Sequence, residues 1–127
     1  MIVAGIGCKR GTSSDDVVSL ILAVLATFGI ARETLDAIAT EASKADERGI
    51  ADAARSLSVG LVRCSIDELD RVADKVVTRS SRVQALKGVP SISEASALVA
   101  AGRNARLLGA RVASDKVTCA IAISEGS

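Results

Sequence analysis

Histidine is absent from this 127-residue sequence, and Phe28 is its only aromatic residue. Histidine is the commonest general acid or base, the usual activator of a nucleophilic serine or cysteine, and a frequent ligand of transition metals. Proteins that bind nucleic acid need aromatic platforms for base stacking or a strongly basic surface, and a net charge of +1 provides neither. These absences argue against histidine-based catalysis and against nucleic acid as a partner.

The cysteines are few and widely spaced. Cys8, Cys64 and Cys119 are odd in number and lack the C-x-x-C spacing of a zinc site, so we expect neither a metal site nor a disulfide framework. We also expect no cofactor. Free thiols favour a reducing, cytoplasmic location. The most apolar run, 17–30, is shorter than the roughly 20 residues needed to cross a bilayer. Because the first residues also lack the basic region of a signal peptide, we expect no membrane partner.

Short β-branched segments alternate with helical patterns along the chain, which predicts a single α/β domain over residues 1–127. Two segments, 107–113 and 116–123, flank Ser114 and Asp115 like the arms of a β-hairpin. Together these patterns predict a three-layer α/β/α sandwich with a mixed sheet of about five strands and a C-terminal hairpin. The expected strands before the hairpin are 2–7, 35–39 and 59–64, and the expected helices are 14–28, one ending near 57, 66–75 and 92–101.

Polar residues mark where several helices should begin. Ser13 is placed to cap the first helix. The tetrapeptides S-I-D-E at 65–68 and S-I-S-E at 91–94 both have the spacing of a capping box, in which serine and glutamate each bind a free backbone N–H. Pro90 biases the residue before it away from helix. The stretch 76–87 has no clear period and is predicted to be a connection.

The glycine-rich loop after the first strand is the leading candidate for a ligand site. In open α/β sheets ligands bind beyond the carboxyl ends of the strands, where helix N-termini present unpaired N–H groups. Glycines there allow close approach, and cations with hydroxyls favour an anion. The residues are Gly7, Cys8, Lys9, Arg10, Gly11, Thr12, Ser13 and Ser14. The alternative is structural: a tight turn, a helix cap and solvated cations.

Further binding candidates follow the second strand and begin the fourth helix. Thr40 and Lys44 could border the same cleft, although a polar cap for the next helix explains them equally well. Ser91 is a third such residue, with capping as its alternative role.

Three residues are candidates for catalysis. Cys8 lies where cations and a helix N-terminus could lower its pKa. Glu41 and Glu94 are the carboxylates considered for proton transfer, and structural roles remain the alternative for both.

Dinucleotide binding and self-association are two further hypotheses. Gly5 and Gly7 begin like a dinucleotide-binding fingerprint, but Arg10 stands where its last glycine is required. The run 17–28 is apolar on almost every face, which is typical of a helix covered on both sides. A homo-oligomer would provide such a cover.

Three segments, in this order, resemble motifs of the CobE and CbiG C-terminal family of cobalamin (vitamin B12) biosynthesis proteins. They are 5–13 (GIGCKRGTS), 40–44 (TEASK) and 88–95 (GVPSISEA). The resemblance covers nearly the whole chain. We expect the stand-alone form of this family, because 127 residues leave no room for an N-terminal hydrolase portion.

The resemblance implies a part in the corrin stage of cobalamin synthesis. We expect the protein to bind or carry a carboxylate-rich corrinoid or precorrin intermediate, with other cobalamin-pathway enzymes as partners. Such a ligand needs apolar walls together with cations and N–H donors. Two alternatives stay open, namely an enzyme acting on a precorrin ring or lactone in the manner of a hydrolase, and an assembly partner of other pathway enzymes.

Overall fold

A computed structural model of the chain describes residues 1–44, 46–77 and 91–125. Within these ranges the strands are β1 (Ile2–Cys8), β2 (Ala37–Glu41), β3 (Gly60–Cys64), β4 (Arg106–Leu107), β5 (Val112–Ala113) and β6 (Val117–Ile123). The helices are α1 (Ser14–Thr27), α2 (Arg48–Ser56), α3 (Ile66–Arg71) and α4 (Ile92–Ala101). Short 3-10 turns cover Arg32–Thr34, Ala42–Lys44 and Ala73–Lys75.

The strands form one mixed sheet in the order β3–β2–β1–β6–β4, and β5 also pairs with β6. Strands β1, β2 and β3 are parallel, whereas β6 runs antiparallel to β1, with Cys8 opposite Val117. The ends of β1 and β2 and the start of β6 therefore share one edge, called here the carboxyl edge. The predicted mixed sheet is confirmed, with six strands where about five were expected.

Helices cover both faces of the sheet, as the sandwich prediction requires. Ala4 and Ile6 of β1 pack under α1 and α2, while Val3 packs under α3 and α4, because successive strand residues point to opposite faces. The predicted three layers are thus confirmed. No helix in the described ranges has both the length and the apolar composition to cross a membrane.

Helix α1 begins and ends as the sequence predicts. The Ser13 hydroxyl accepts from the Asp16 amide at 3.2 Å, and Gly29 follows the helix with a positive φ of 68°. Its buried side chains, such as Ile21 and Leu25, face the sheet, while Ala23 and Ala26 on the far side are exposed. The single chain therefore covers one side of this helix, and a second cover remains a prediction.

Strand β2 begins two residues later than predicted. The Leu35 amide closes a turn onto the Arg32 carbonyl, and the Asp36 carboxylate accepts from the Ile2 amide at 2.7 Å. Pairing with β1 begins only at Ala37. As a result Thr40 and Glu41 belong to the strand and are buried, although the sequence placed them in the polar segment after it.

The predicted hairpin is confirmed around Ser114, whose amide donates to the Val117 carbonyl at 2.8 Å. Its first arm is not the continuous strand that was expected. The arm is divided into β4 and β5, because between them the Arg111 amide leaves the sheet and donates to Glu94.

Only one of the two predicted capping boxes is complete. Ser65 and Glu68 exchange both bonds at the start of α3. At the start of α4 the Ser91 hydroxyl accepts from the Glu94 amide at 3.4 Å, but the Glu94 carboxylate binds two distant amides, described below. Helix α3 ends at Arg71 and a 3-10 turn continues to Lys75. Pro90 and most of the predicted connection 76–87 lie outside the described residues.

Candidate functional site

A cavity of about 380 Å³ opens at the carboxyl edge of the sheet. One wall is the end of β1, residues 7–9, and another is Glu41 with Lys44 after β2. Ile92, the first residue of α4, and the hairpin residues 111 and 114–118 complete it. Ligands of open α/β sheets bind in this position, outside the carboxyl ends of the strands.

Positive charge predominates among the described residues that line the cavity. Four cations face two carboxylates; the cations are Lys9, Lys44, Arg111 and Lys116, and the carboxylates are Glu41 and Asp115. Lys44 and Arg111 are half-buried, whereas Lys9 and Lys116 are exposed. Partial burial weakens solvent screening, so the first two cations should attract an anion most strongly. Ile92 and Val117 supply apolar wall between the charges.

Three backbone donors of the glycine-rich loop already have acceptors within the chain. The Lys9 amide donates to the Lys116 carbonyl at 2.9 Å, and the Thr12 amide donates to the Lys9 carbonyl. The Gly11 amide donates to the Glu47 carboxylate at 2.9 Å, so a carboxylate of the protein is already bound where an anionic ligand would bind this amide. Side-chain cations are therefore better placed than these three amides to receive an anion.

The structure divides the predicted loop site in two. Gly7, Cys8 and Lys9 line the cavity, whereas the exposed Arg10 does not. Residues 11–14 border a separate hollow of about 330 Å³ beside Arg48. Of these, Thr12 is buried and its hydroxyl donates to the Lys9 carbonyl, and the Ser13 hydroxyl caps α1.

Thr40 and Ser91 are fully buried and make structural contacts. The Thr40 hydroxyl donates to the Ile6 carbonyl at 2.7 Å across β1 and β2, and Ser91 caps α4. Neither lines the cavity, whereas Lys44 does.

We expect Thr40→Val to lower the free energy of unfolding by about 1 kcal/mol or somewhat more, because it removes a buried hydrogen-bond donor at nearly constant volume. Thr27→Val is the matched control, since the Thr27 hydroxyl donates to the Ala23 carbonyl on the exposed side of α1. Urea denaturation of both variants measures the difference. Equal losses in the two would contradict a structural role for Thr40.

Cys8 lies in the cavity wall, but its electrostatic environment differs from the prediction. Burial raises the pKa of this thiol above its ordinary value of 9.0, and this effect outweighs the attraction of Lys44 and the hydrogen bond from Thr12, which lower it. The Glu47 charge raises it further. The expected lowering of the Cys8 pKa is therefore wrong, because desolvation of the thiolate exceeds the stabilisation by nearby cations.

Cys8 should accordingly alkylate slowly at neutral pH, since less than about 1% of it is thiolate there. Its rate with iodoacetamide should rise about tenfold per pH unit up to at least pH 9. Cys64 and Cys119 should stay unmodified in the folded protein, because burial raises the pKa of each to about 12. Mass spectrometry of modified peptides, with Cys8→Ser as control, follows each site. A Cys8 rate that has already levelled off at pH 7 would contradict the raised pKa.

The two carboxylate candidates lie in different places. Glu41 ends β2, is 5% exposed and lines the cavity, and its Oε2 accepts from the Ser43 amide at 2.7 Å and from the Ser43 hydroxyl. Glu94 is fully buried and does not line the cavity. Among the described residues no cluster of three or more Cys, Asp or Glu side chains could hold a metal ion.

Sequence reasoning missed Arg111, Lys116 and Ile92 as cavity residues. Arg111 and Lys116 reach the carboxyl edge because β6 pairs antiparallel with β1, which places Lys116 beside Lys9. The signal available in the sequence was the position of both cations next to the predicted hairpin turn. Their proximity to residues 7–9 depends on a pairing between opposite ends of the chain.

Comparison with known proteins gives consistent matches. The family described as cobalamin synthesis G C-terminus matches residues 2–122. Protein CobE of Sinorhizobium sp is 32% identical over 121 residues, covering 95% of this chain and 79% of that protein. Cobalt-precorrin-5A hydrolase of Priestia megaterium is 27% identical over 123 residues, covering 97% of this chain but 32% of that enzyme. The chain thus spans about one third of the hydrolase.

A crystal structure of CobE, described as a protein from the cobalamin (vitamin B12) biosynthetic pathway, has the same fold. It superimposes with a TM-score of 0.92 at 30% identity, covering 100% of this chain and 92% of that one. The family resemblance carried by the three sequence segments is therefore confirmed. Since the family match extends over nearly all residues, the chain belongs to the cobalamin synthesis G C-terminus family and takes part in cobalamin biosynthesis.

Proposed function

We propose that this protein binds a carboxylate-rich corrinoid intermediate, at the precorrin or corrin-ring stage, and carries it to other enzymes of the pathway. The observation that supports this most is the cavity at the carboxyl edge, where the half-buried Lys44 and Arg111 stand beside the apolar Ile92 and Val117. A planar apolar ring with acidic side chains needs this combination of surfaces.

The cations that line the cavity come from three separate parts of the chain. Lys9 follows β1, Lys44 follows β2, and Arg111 and Lys116 belong to the hairpin. A charge-assisted hydrogen bond to a carboxylate contributes about 1.5 to 3 kcal/mol, and less where solvent screens it. Four cations on one cavity suit several carboxylates of one large ligand better than a single small anion.

The size of the cavity favours partial enclosure of such a ligand. About 380 Å³ is near the lower end of the range of roughly 300 to 1,000 Å³ for pockets that enclose drug-sized molecules. A corrinoid ring with its side chains is larger than that. One edge of the ring would enter the cavity and the remainder would stay accessible, which suits delivery to a second enzyme.

Glu41 favours one alternative, an enzyme that acts on the ring or its lactone. It is a buried carboxylate in the cavity wall, where a general acid or base would need to be. The relative named as a cobalt-precorrin-5A hydrolase aligns with nearly all of this chain, although the chain spans only a third of it. Against this alternative, the raised pKa of Cys8 makes that thiol a poor nucleophile, and Oε2 of Glu41 is engaged by Ser43.

Titration with cobyrinic acid, a corrinoid whose peripheral side chains are free carboxylic acids, tests the proposal. Cobinamide, in which these side chains are amidated, is the matched control ligand. We expect saturable binding of cobyrinic acid that is at least about tenfold tighter than that of cobinamide and weakens with added salt. Equal affinity for the two corrinoids, or no binding of either, would rule out recognition of carboxylates.

A second measurement separates carrier from enzyme. The protein is incubated with pigments extracted from a cobalamin-producing strain, and both the retained and the released pigments are weighed by mass spectrometry. A carrier retains a pigment of unchanged mass. A pigment that gains the mass of water or loses a fragment, in the presence of protein only, would favour the hydrolase alternative.

A further inference from the structure

Two nearly identical tetrapeptides begin helices in this chain, and their glutamates make different contacts. In 65–68 the exposed Glu68 accepts from the Ser65 amide at 2.9 Å, the local bond of a capping box. In 91–94 the Glu94 side chain is fully buried. Its Oε1 accepts from the Val77 amide and its Oε2 from the Arg111 amide, both at 2.7 Å.

The position of Glu94 is fixed by the packing of α4 on the sheet. The backbone of Ser93 lies directly against Gly5 of β1, with no space for a side chain between them. Glu94 therefore projects from a helix turn that is held against the central strand. Any backbone group that binds its carboxylate is held in place relative to the sheet.

One of the two amides bound by Glu94 belongs to a residue that lines the cavity. Arg111 lines the cavity, and its amide, between β4 and β5, donates to Glu94 and not to a neighbouring strand. Val77 is the last described residue before segment 78–90. One buried carboxylate thus joins the hairpin and the end of the preceding segment at the same point.

We infer that Glu94 is a positioning residue for the corrinoid site, which holds the Arg111 backbone so that its guanidinium faces the cavity. The inference rests on the proposed function. A carboxylate is required because two N–H donors need two acceptor oxygens, whereas an amide side chain offers one oxygen and sets its NH2 against the second donor.

Amide hydrogen exchange tests the contact without any ligand. Glu94→Gln should speed exchange of the Val77 and Arg111 amides at least about tenfold, with little change at the centre of β1. Glu68→Gln is the matched control, because it alters a glutamate at the same helix position whose carboxylate has only a local role. Unchanged exchange at both amides in Glu94→Gln would overturn the inference.

A double-mutant cycle tests the effect on binding, with cobyrinic acid as the probe. The four proteins are the wild type, Glu94→Gln, Arg111→Ala and the double variant. We expect each single change to weaken binding of cobyrinic acid about tenfold relative to the wild type. The double variant should bind no more weakly than either single variant, because both changes remove the same contact. Losses that multiply to about a hundredfold, or full affinity in Glu94→Gln, would show that Glu94 does not act through Arg111.

The outcomes distinguish this inference from the proposed function. If the wild type does not bind cobyrinic acid, the proposed function fails, while exchange still decides whether Glu94 holds the two amides. If Glu94→Gln does not fold, amide hydrogen exchange measured on the wild type replaces the double-mutant cycle. Saturation with cobyrinic acid should then slow exchange of the Arg111 amide, and an unchanged rate would overturn the positioning role.

Discussion

Replacing Gly5 with alanine is expected to lower the free energy of unfolding by about 3 kcal/mol or more, because a methyl group there has no room. A Cβ at this position would overlap the Ser93 carbonyl oxygen and approach the Ala97 amide nitrogen to 2.7 Å and the Ala97 Cβ to 2.8 Å. Two of these three contacts are with backbone atoms, so no rotamer change can relieve them. Helix α4 would have to move away from β1, and the Glu94 contacts would move with it.

Gly60→Ala is the matched control for this change, because a Cβ there meets nothing within 4 Å. We expect it to alter stability by no more than about 0.5 kcal/mol, or to raise it slightly by restricting the unfolded chain. Urea denaturation followed by circular dichroism measures both variants. Similar unfolding midpoints for Gly5→Ala and the wild type would contradict the close approach of α4 to the sheet.

Removing the two half-buried cations of the cavity should have the largest effect on binding. We expect the double variant Lys44→Ala, Arg111→Ala to bind cobyrinic acid about a hundredfold more weakly than the wild type. Each cation contributes about 1.5 kcal/mol if solvent screens it partly, and the two losses together correspond to roughly that factor. Stability should change little, since neither side chain belongs to the buried core.

The control removes the same charge at the opposite edge of the sheet. Arg32 precedes β2, and Arg106 pairs with Ile123 at the far end of β6, so Arg32→Ala, Arg106→Ala alters the net charge equally but lies away from the cavity. Titration calorimetry at one ionic strength should show less than about a threefold change for this control. Equal weakening in the two double variants would mean that only the overall charge matters.

Local sequence signals correctly predicted the features that depend on residues close together in the chain, such as helix caps. Ser13 and Ser65 cap the helices they were expected to cap, because each hydroxyl binds an amide three residues ahead. Strand β2 was misplaced by two residues, since its start is decided by Asp36, whose carboxylate binds the Ile2 amide. That contact joins the residue before β2 to the first residue of β1 and has no local signature.

The candidate site was predicted only in part, because some of its residues meet through contacts that are distant in sequence. The rule that ligands bind at the carboxyl ends of parallel strands identified residues 7–9 and Lys44, which line the cavity. Arg111 and Lys116 were missed because the register of β6 on β1 brings them there. The identical spacing of the two capping tetrapeptides also hid the difference between Glu68 and Glu94, which depends on burial.

The order of the amino acids was enough to predict the family, the alternation of strands and helices, and the helix starts, because these depend on periodicity and on residues within a few positions of each other. The folded chain was needed to show which cations share a cavity, that Thr40 and Ser91 are buried, and that Glu94 binds the amides of Val77 and Arg111. These outcomes require groups distant in sequence to meet, and such meetings are set by strand register and by the packing of α4 on Gly5.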